Sequence, residues 1–132
     1  MKLIPYRFFR CILLLMFFLA GVSLLHGQEA GRDNDGKIEA LIQHVQSLKG
    51  ATFIRNGSEY DSKSAAKFLR GKWDANRKEI TTPTEFIEKV ATKSGTTGKP
   101  YFIRFEDGKE TPCGPYLTGQ LKKLESKPPA KP

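Results

Sequence analysis

Residues that commonly carry enzyme chemistry are scarce in this sequence of 132 residues. It holds two cysteines and two histidines, and one of each lies within residues 1–27, which leaves His44 and Cys113 in the remainder. A single cysteine excludes an internal disulfide, and no HExxH, HxxxH or CxxC spacing is present to form a metal site. We therefore expect no cofactor and no metal, and the hydrophobic core must supply the stability of the fold.

Long apolar runs are also lacking outside the N-terminus. Three basic residues precede an almost unbroken apolar stretch over 11–25, and Gly27 then offers a small residue for cleavage. This order is typical of a secretory signal peptide over residues 1–27, although the same run could stay as an uncleaved anchor. We favour export and expect a periplasmic or secreted protein that meets the membrane only through this segment, if it is uncleaved.

Charge of one sign is not concentrated in the remaining chain. The full sequence carries a net charge of +8, and residues 1–27 hold three basic residues and no acid, so the remainder carries about +5. Its lysines are interspersed with aspartate and glutamate. Such mixed charge is poorly suited to nucleic acid, which we exclude as a partner, whereas attraction to anionic envelope polymers or lipids stays open.

Asn56-Gly57 is the strongest local signal in the chain. It follows a short run of strand formers, and a two-residue type I′ turn needs positive φ at both central positions. The resulting hairpin would pair Phe53 with Tyr60 and place Arg55 on the same face of the sheet. Gly71, inside the helix that follows, would cost about 1 kcal/mol relative to alanine, and so predicts a close backbone approach.

Apolar residues at helical spacing predict four helices. The first lies between Asp35 as its cap and Gly50 as its stop, and the second covers 61–79. The third begins at the capping box Thr82–Glu85, and Pro115 opens the last. The predicted inward stripes are Ile38, Leu41, Ile42, Val45 and Leu48; Ala66, Leu69, Trp73, Asn76 and Ile80; Phe86, Ile87, Val90 and Ala91; and Leu117, Leu121 and Leu124.

A second strand pair is predicted late in the chain, with a strand over 101–105, a turn at Asp107-Gly108 and a return strand over 109–111. Residues 112–115 read as irregular. The order of elements predicts a small α+β domain, with about four helices packed on a short antiparallel sheet made of one or two hairpins. The predicted organisation is a signal peptide over 1–27, a disordered linker over 28–35, one domain over 36–126 and a Pro/Lys-rich tail over 127–132.

Three sequence blocks together resemble a known family. They are FIRNG with Tyr60, then AAKFLRGKW, then EFIEKVATKSGTTGKPYFIRFEDG after Thr82. In combination they closely resemble the YfeK-like family of small exported bacterial proteins, catalogued as a domain of unknown function, over about 38–121. The family pattern often has histidine where this chain has Phe68, which argues against obligatory histidine chemistry on that helix. The resemblance implies an exported bacterial envelope protein and no particular activity.

Catalysis has few candidate residues. His44 lies at the edge of the first apolar stripe, and no partner is evident for it. Cys113 could act as a nucleophile if a base lay near it and its pKa were depressed, or it could link two chains into a dimer, but a packing role is the simpler interpretation. A small envelope enzyme that uses Cys113 or a carboxylate is therefore the alternative hypothesis, and we expect a non-catalytic protein, monomeric or Cys113-linked.

Basic and aromatic residues form the remaining constellation. Arginine binds carboxylate or phosphate through two parallel hydrogen bonds, and tyrosine adds flat, partly polar walls. If the first hairpin and the late strand share a sheet, Arg55 and Arg104 could face one cleft, whereas Arg70 could equally pair with Asp74 one helical turn away. The sequence thus predicts a binding or interaction module that recognises an anionic envelope ligand or a partner protein. The candidate ligand-binding residues are Arg55, Asn56, Tyr60, Arg70, Tyr101 and Arg104.

Overall fold

The computed structural model describes residues 22–127. The predicted signal peptide, except its last six residues, and most of the C-terminal tail lie outside these residues. The chain divides into two units, 1–33 and 34–132, and the fold below is that of the second unit. Its elements, in chain order, are α1 (Val22–Ser47, which begins in the first unit), β1 (Thr52–Arg55), β2 (Ser58–Asp61), α2 (Ser62–Ala75), α3 (Pro83–Phe86, continued by a π-helical turn Ile87–Ala91), β3 (Phe102–Arg104), β4 (Glu110–Pro112) and α4 (Cys113–Ser126).

The four strands form one antiparallel sheet in the order β2-β1-β3-β4. The first hairpin has the predicted register, with Phe53 opposite Tyr60, and its turn has positive φ at Asn56 (52°) and Gly57 (79°). β1 also pairs with β3, where Phe53 lies opposite Ile103. Over the described residues the fold is therefore α+β, with four helices and two hairpins that are joined by the pairing of β1 with β3.

The core lies between the helices and one face of this sheet. All four predicted stripes are buried over most of their length, because each helix turns its apolar side toward the sheet or a neighbouring helix. Asn76, Leu48 and Leu124 lie at the edge of this core, only partly buried. The largest side chains with almost no exposed surface are Trp73, Phe86, Ile38, Leu41, Ile42, Ile103 and Leu117.

Helix α2 is shorter than predicted. Asp61 caps it as expected by accepting a hydrogen bond from the Ser64 backbone N–H, but the helix ends at Ala75 rather than near residue 79. Asn76 ends it, since its side chain donates to the Lys72 carbonyl at 2.7 Å. The close approach predicted at Gly71 is wrong: a Cβ placed there would meet nothing within 4 Å.

Helix α3 begins at the predicted capping box. The Thr82 hydroxyl accepts from the Glu85 backbone N–H, and the Glu85 carboxylate accepts from the Thr82 N–H. After one turn the backbone widens into the π-helical segment Ile87–Ala91, where the Thr92 hydroxyl donates to the Ile87 carbonyl. A close approach does occur here, because a Cβ on Gly114 would be 2.5 Å from the Thr92 hydroxyl oxygen.

Two predicted irregular segments are in fact regular. Residues 28–35, predicted as a disordered linker, belong to α1, and Asp35 is therefore not its cap. No proline interrupts this stretch, and Gly31 and Gly36 each cost the helix only about 1 kcal/mol. Residues 112–115, predicted as irregular, end β4 and begin α4. Within residues 22–127, no helix is both long and apolar enough to span a membrane.

Candidate functional site

A cleft of about 690 Å³ lies between α2 and the hairpin formed by β1 and β2. This size falls within the range of small-molecule sites, about 300–1,000 Å³. Most of its wall is apolar or aromatic, and no aspartate or glutamate contributes to it. The lining residues are Phe53, Ile54, Arg55, Tyr60, Ser64, Ala65, Lys67, Phe68, Leu69, Gly71, Lys72, Ala75, Asn76, Tyr101 and Cys113.

Strand pairing brings three of the predicted site residues to this cleft. Side chains alternate between the two faces of a strand, so Arg55 lies on the same face as Phe53, and Tyr60 lies opposite Phe53. Tyr101 reaches the same face from the start of the neighbouring strand, where its carbonyl accepts from the Cys113 N–H. Tyr60 is 38% exposed at the mouth of the cleft, whereas Tyr101 is only 5% exposed.

The Phe68 ring is the common neighbour of two cations and a tyrosine ring in the cleft. The guanidinium of Arg55 lies over it at 4.3 Å from the ring centre, and the ammonium of Lys72 lies 5.6 Å from the same centre. The Tyr101 ring meets Phe68 edge-on at 6.2 Å between centroids. Two cations and a phenol are thus held around one aromatic ring, and this arrangement gives the cleft a positive, partly apolar interior.

Two polar atoms of the cleft residues are buried without a hydrogen-bond partner. They are the Nε of Arg55 and the hydroxyl of Tyr101; across residues 22–127 the same holds for Trp73 Nε1. Leaving a buried polar group unsatisfied costs about 1–3 kcal/mol, so native proteins rarely retain one without a role for it. Both groups are donors, and both could be satisfied by an acceptor that enters the cleft.

Arg104 does not share a cleft with Arg55. Its strand register pairs it with Thr52, which places it on the opposite face of the sheet. There its guanidinium bonds Glu59 on β2 at 2.6 Å and Glu110 on β4 at 2.9 Å. The hypothesis of one cleft facing both arginines is therefore wrong, because the one-residue offset between 103 and 104 reverses the face.

Arg70 and Asn56 are also engaged elsewhere. Arg70 bonds both oxygens of Glu39 on α1 at 2.5 Å, rather than Asp74 on its own helix as considered from the sequence. Those hydrogen bonds lower the pKa of Glu39 from its ordinary value. The Asn56 side chain ties the hairpin tip to the loop between α3 and β3, donating to Ser94 and accepting from Thr97. Neither residue lines the cleft.

The candidate catalytic groups are poorly placed for catalysis. Cys113 is 2% exposed, and burial raises the pKa of its thiol to about 12, the opposite of what a nucleophile needs. His44 lies half-buried at the edge of the core, as predicted, with Nε2 2.8 Å from the Tyr116 hydroxyl. Burial lowers the pKa of His44. Among residues 22–127, no cluster of three or more histidine, cysteine or acidic side chains could hold a metal ion.

Several cleft residues were missed from the sequence. Phe68 lies off the predicted stripe of Ala66, Leu69 and Trp73, and it was therefore not predicted to be inward-facing. Gly71, which the sequence predicts as a point of close contact, instead opens the wall of the cleft. A signal was available, since Ser64, Phe68, Gly71 and Ala75 recur at steps of three and four and form a second stripe beside the first.

Comparison with known proteins gives a family without an assigned function. The chain is 39% identical over 67 residues to the uncharacterized protein YfeK of Salmonella typhimurium, which covers 51% of this chain and 56% of that protein. The chain thus spans about half the length of this curated relative. No solved structure matches it. A family model matches residues 32–125, and the chain therefore belongs to the family of unknown function DUF5329.

Proposed function

We propose that this chain is a non-catalytic binding module of the bacterial cell envelope, and that it recognises an anionic group in the cleft between α2 and the sheet. The observation that carries the proposal is a pair of buried, unpartnered donors, Arg55 Nε and the Tyr101 hydroxyl, in a cleft without acidic side chains. Export rests on the pattern of residues 1–27 and forms part of the same proposal.

Charge supports an anionic ligand over a cationic or neutral one. Arg55, Lys67 and Lys72 line the cleft, and a carboxylate or phosphate oxygen accepts hydrogen bonds that are about twice as strong from a charged donor as from a neutral one. Tyr60, exposed at the mouth, adds a flat wall with a polar tip. Of the six residues proposed from the sequence, Arg55, Tyr60 and Tyr101 remain in the site.

The test is retention of the purified full-length chain on washed envelope fractions, measured by co-sedimentation. Arg55→Gln should reduce retention about tenfold or more, because a charged hydrogen bond contributes about 1.5–3 kcal/mol. Arg104→Gln is the matched control, since it removes the same charge from the opposite face of the sheet. Equal retention of both variants would contradict the proposal, as would failure of the parent chain to be retained.

A further inference from the structure

The cleft has two chemically different parts. One part holds the donors Arg55 and Tyr101, which both neighbour the Phe68 ring. The other part extends along α2, where Phe68, Gly71 and Ala75 form an apolar wall beside the cations Lys67 and Lys72. A ligand that satisfies both parts needs an acceptor at one end and an apolar body at the other.

From this division we infer that the ligand is a single-chain amphipathic anion, such as an alkyl carboxylate. The inference rests on the proposed function and narrows its ligand class. The head would accept from Arg55 Nε and the Tyr101 hydroxyl, and the chain would lie along α2 beside Phe68.

The apolar part is too large for a small inorganic anion. Pockets that bury small molecules are lined mainly by apolar and aromatic side chains, with a few placed polar groups that fix orientation. A volume of about 690 Å³ with two buried donors follows this pattern. A phosphate ion would leave most of that wall in contact with water, and the apolar residues would add nothing to its affinity.

The cationic lining favours an anionic head. Arg55 supplies a charged donor and the Tyr101 hydroxyl a neutral one, and Lys67 and Lys72 add two further cations to the wall. Lys72 lies farther from the Phe68 ring than Arg55 does, 5.6 Å against 4.3 Å. The Tyr101 hydroxyl also points to a ligand, independently of the cationic lining. Tyr101 is 95% buried, and its hydroxyl has no hydrogen-bond partner.

Gly71 leaves room for the chain. A Cβ at this position would meet nothing within 4 Å, and Gly71 has no positive φ, so a larger side chain can be introduced without backbone strain. Gly71→Leu should therefore fill the apolar part of the cleft and spare the head region. Gly119 on α4 has the same open surroundings and is not among the cleft residues, which makes Gly119→Leu its matched control.

The experiment is a calorimetric titration of the full-length chain with butanoate, hexanoate, octanoate and decanoate below their micelle concentrations, and with the corresponding alcohols. Affinity should rise about fourfold per added methylene, as expected for about 0.8 kcal/mol per buried CH₂. Each alcohol should bind at least about tenfold more weakly than its carboxylate. Gly71→Leu should abolish the dependence on chain length, and Gly119→Leu should retain it.

The outcomes separate this inference from the proposed function. Equal affinity for butanoate and decanoate, lost in Arg55→Gln, would overturn the amphipathic ligand and leave anion binding intact. Binding to anionic phospholipid vesicles, without binding of the free carboxylates, would also overturn it in favour of a membrane surface. If neither carboxylate binding nor retention on envelope fractions depends on Arg55, both proposals fail. Residues 1–27 are present in every variant and therefore cannot produce the differences between them.

Discussion

The guanidinium of Arg55 lies 4.3 Å from the centre of the Phe68 ring, which joins the end of β1 to the middle of α2. The same ring contacts Tyr101 edge-on, and it therefore positions both unpartnered donors of the cleft. Because the contact links β1 to α2 beside the core packing of Phe53 and Leu69, it stabilises the wall of the cleft as well as the site.

Replacing Phe68 should expose this coupling. Arg55→Gln and Phe68→Leu are each expected to destabilise the protein, and the double variant should lose less than the sum by about 0.5–1 kcal/mol, the value of a cation–π contact at a partly exposed site. Urea unfolding of the parent and the three variants measures the free energies. Additive losses would show that the contact contributes nothing.

The turn at Asn56-Gly57 should be sensitive to a single methyl group. Gly57 has a φ of 79°, in the region that costs an L-residue about 1–2 kcal/mol, so Gly57→Ala should lower the free energy of unfolding by about that amount. Gly95→Ala is the control, because Gly95 has no positive φ and a Cβ there would meet nothing within 4 Å. Similar losses in the two variants would refute the argument from turn geometry.

Local signals explain why so much of the fold could be predicted. Asn56-Gly57 fixes a two-residue turn, the turn fixes the register of β1 and β2, and the capping box at Thr82 and Glu85 fixes the start of α3. Each depends on residues fewer than five positions apart. The predicted end of α2 is wrong because the burial of Ile80, which its spacing indicates correctly, does not require that residue to be helical. Ile80 is buried but lies beyond the end of the helix.

The site was harder to predict because it depends on distant pairings. Arg70 pairs with Glu39, thirty-one positions away, only because α1 packs beside α2. Arg104 faces away from Arg55 because β3 pairs with β1 in one register, and no local pattern specifies that register. Side chains alternate along a strand, so Tyr101 and Arg104, three positions apart, face opposite sides of the sheet and cannot line one cleft.

Gly114 should tolerate no side chain. Its added Cβ would lie 2.5 Å from the Thr92 hydroxyl oxygen, a contact that something must move to relieve, so Gly114→Ala should destabilise the protein by about 1–3 kcal/mol. Thr92→Ala in the same chain should recover part of this loss, and thermal unfolding of the single and double variants would reveal the interaction. Gly119→Ala, in the same helix with open surroundings, should not destabilise.

The thiol of Cys113 should be inert in the folded protein. It is buried, with a pKa raised to about 12 from an ordinary 9.0, so thiol reagents should modify it only after unfolding. The folded state holds the thiol proton more tightly than the unfolded state does. This difference therefore contributes its full amount to the free energy of unfolding below about pH 9, and the contribution is lost as the pH rises toward 12.

The same shift predicts a difference between the parent and Cys113→Ala. Above about pH 9, the parent should lose up to about 1.4 kcal/mol of stability per pH unit more than the variant, because only the unfolded parent can release the thiol proton. Urea unfolding at a series of alkaline pH values measures this slope. Parallel slopes, or rapid modification of the folded protein at neutral pH, would contradict the buried thiol.

Tyr101 should separate stability from binding. Its hydroxyl is buried without a partner, which costs about 1–3 kcal/mol, so Tyr101→Phe should leave the free energy of unfolding unchanged or raise it. If that hydroxyl donates to a ligand, the same variant should bind octanoate several-fold more weakly than the parent. Urea unfolding and calorimetric titration of one preparation give both values. If the hydroxyl only supported the fold, Tyr101→Phe would give the reverse result, a less stable protein with unchanged affinity for octanoate. Such a hydroxyl would stabilise the ligand-bound and the free protein equally, and its removal would therefore not change the binding free energy.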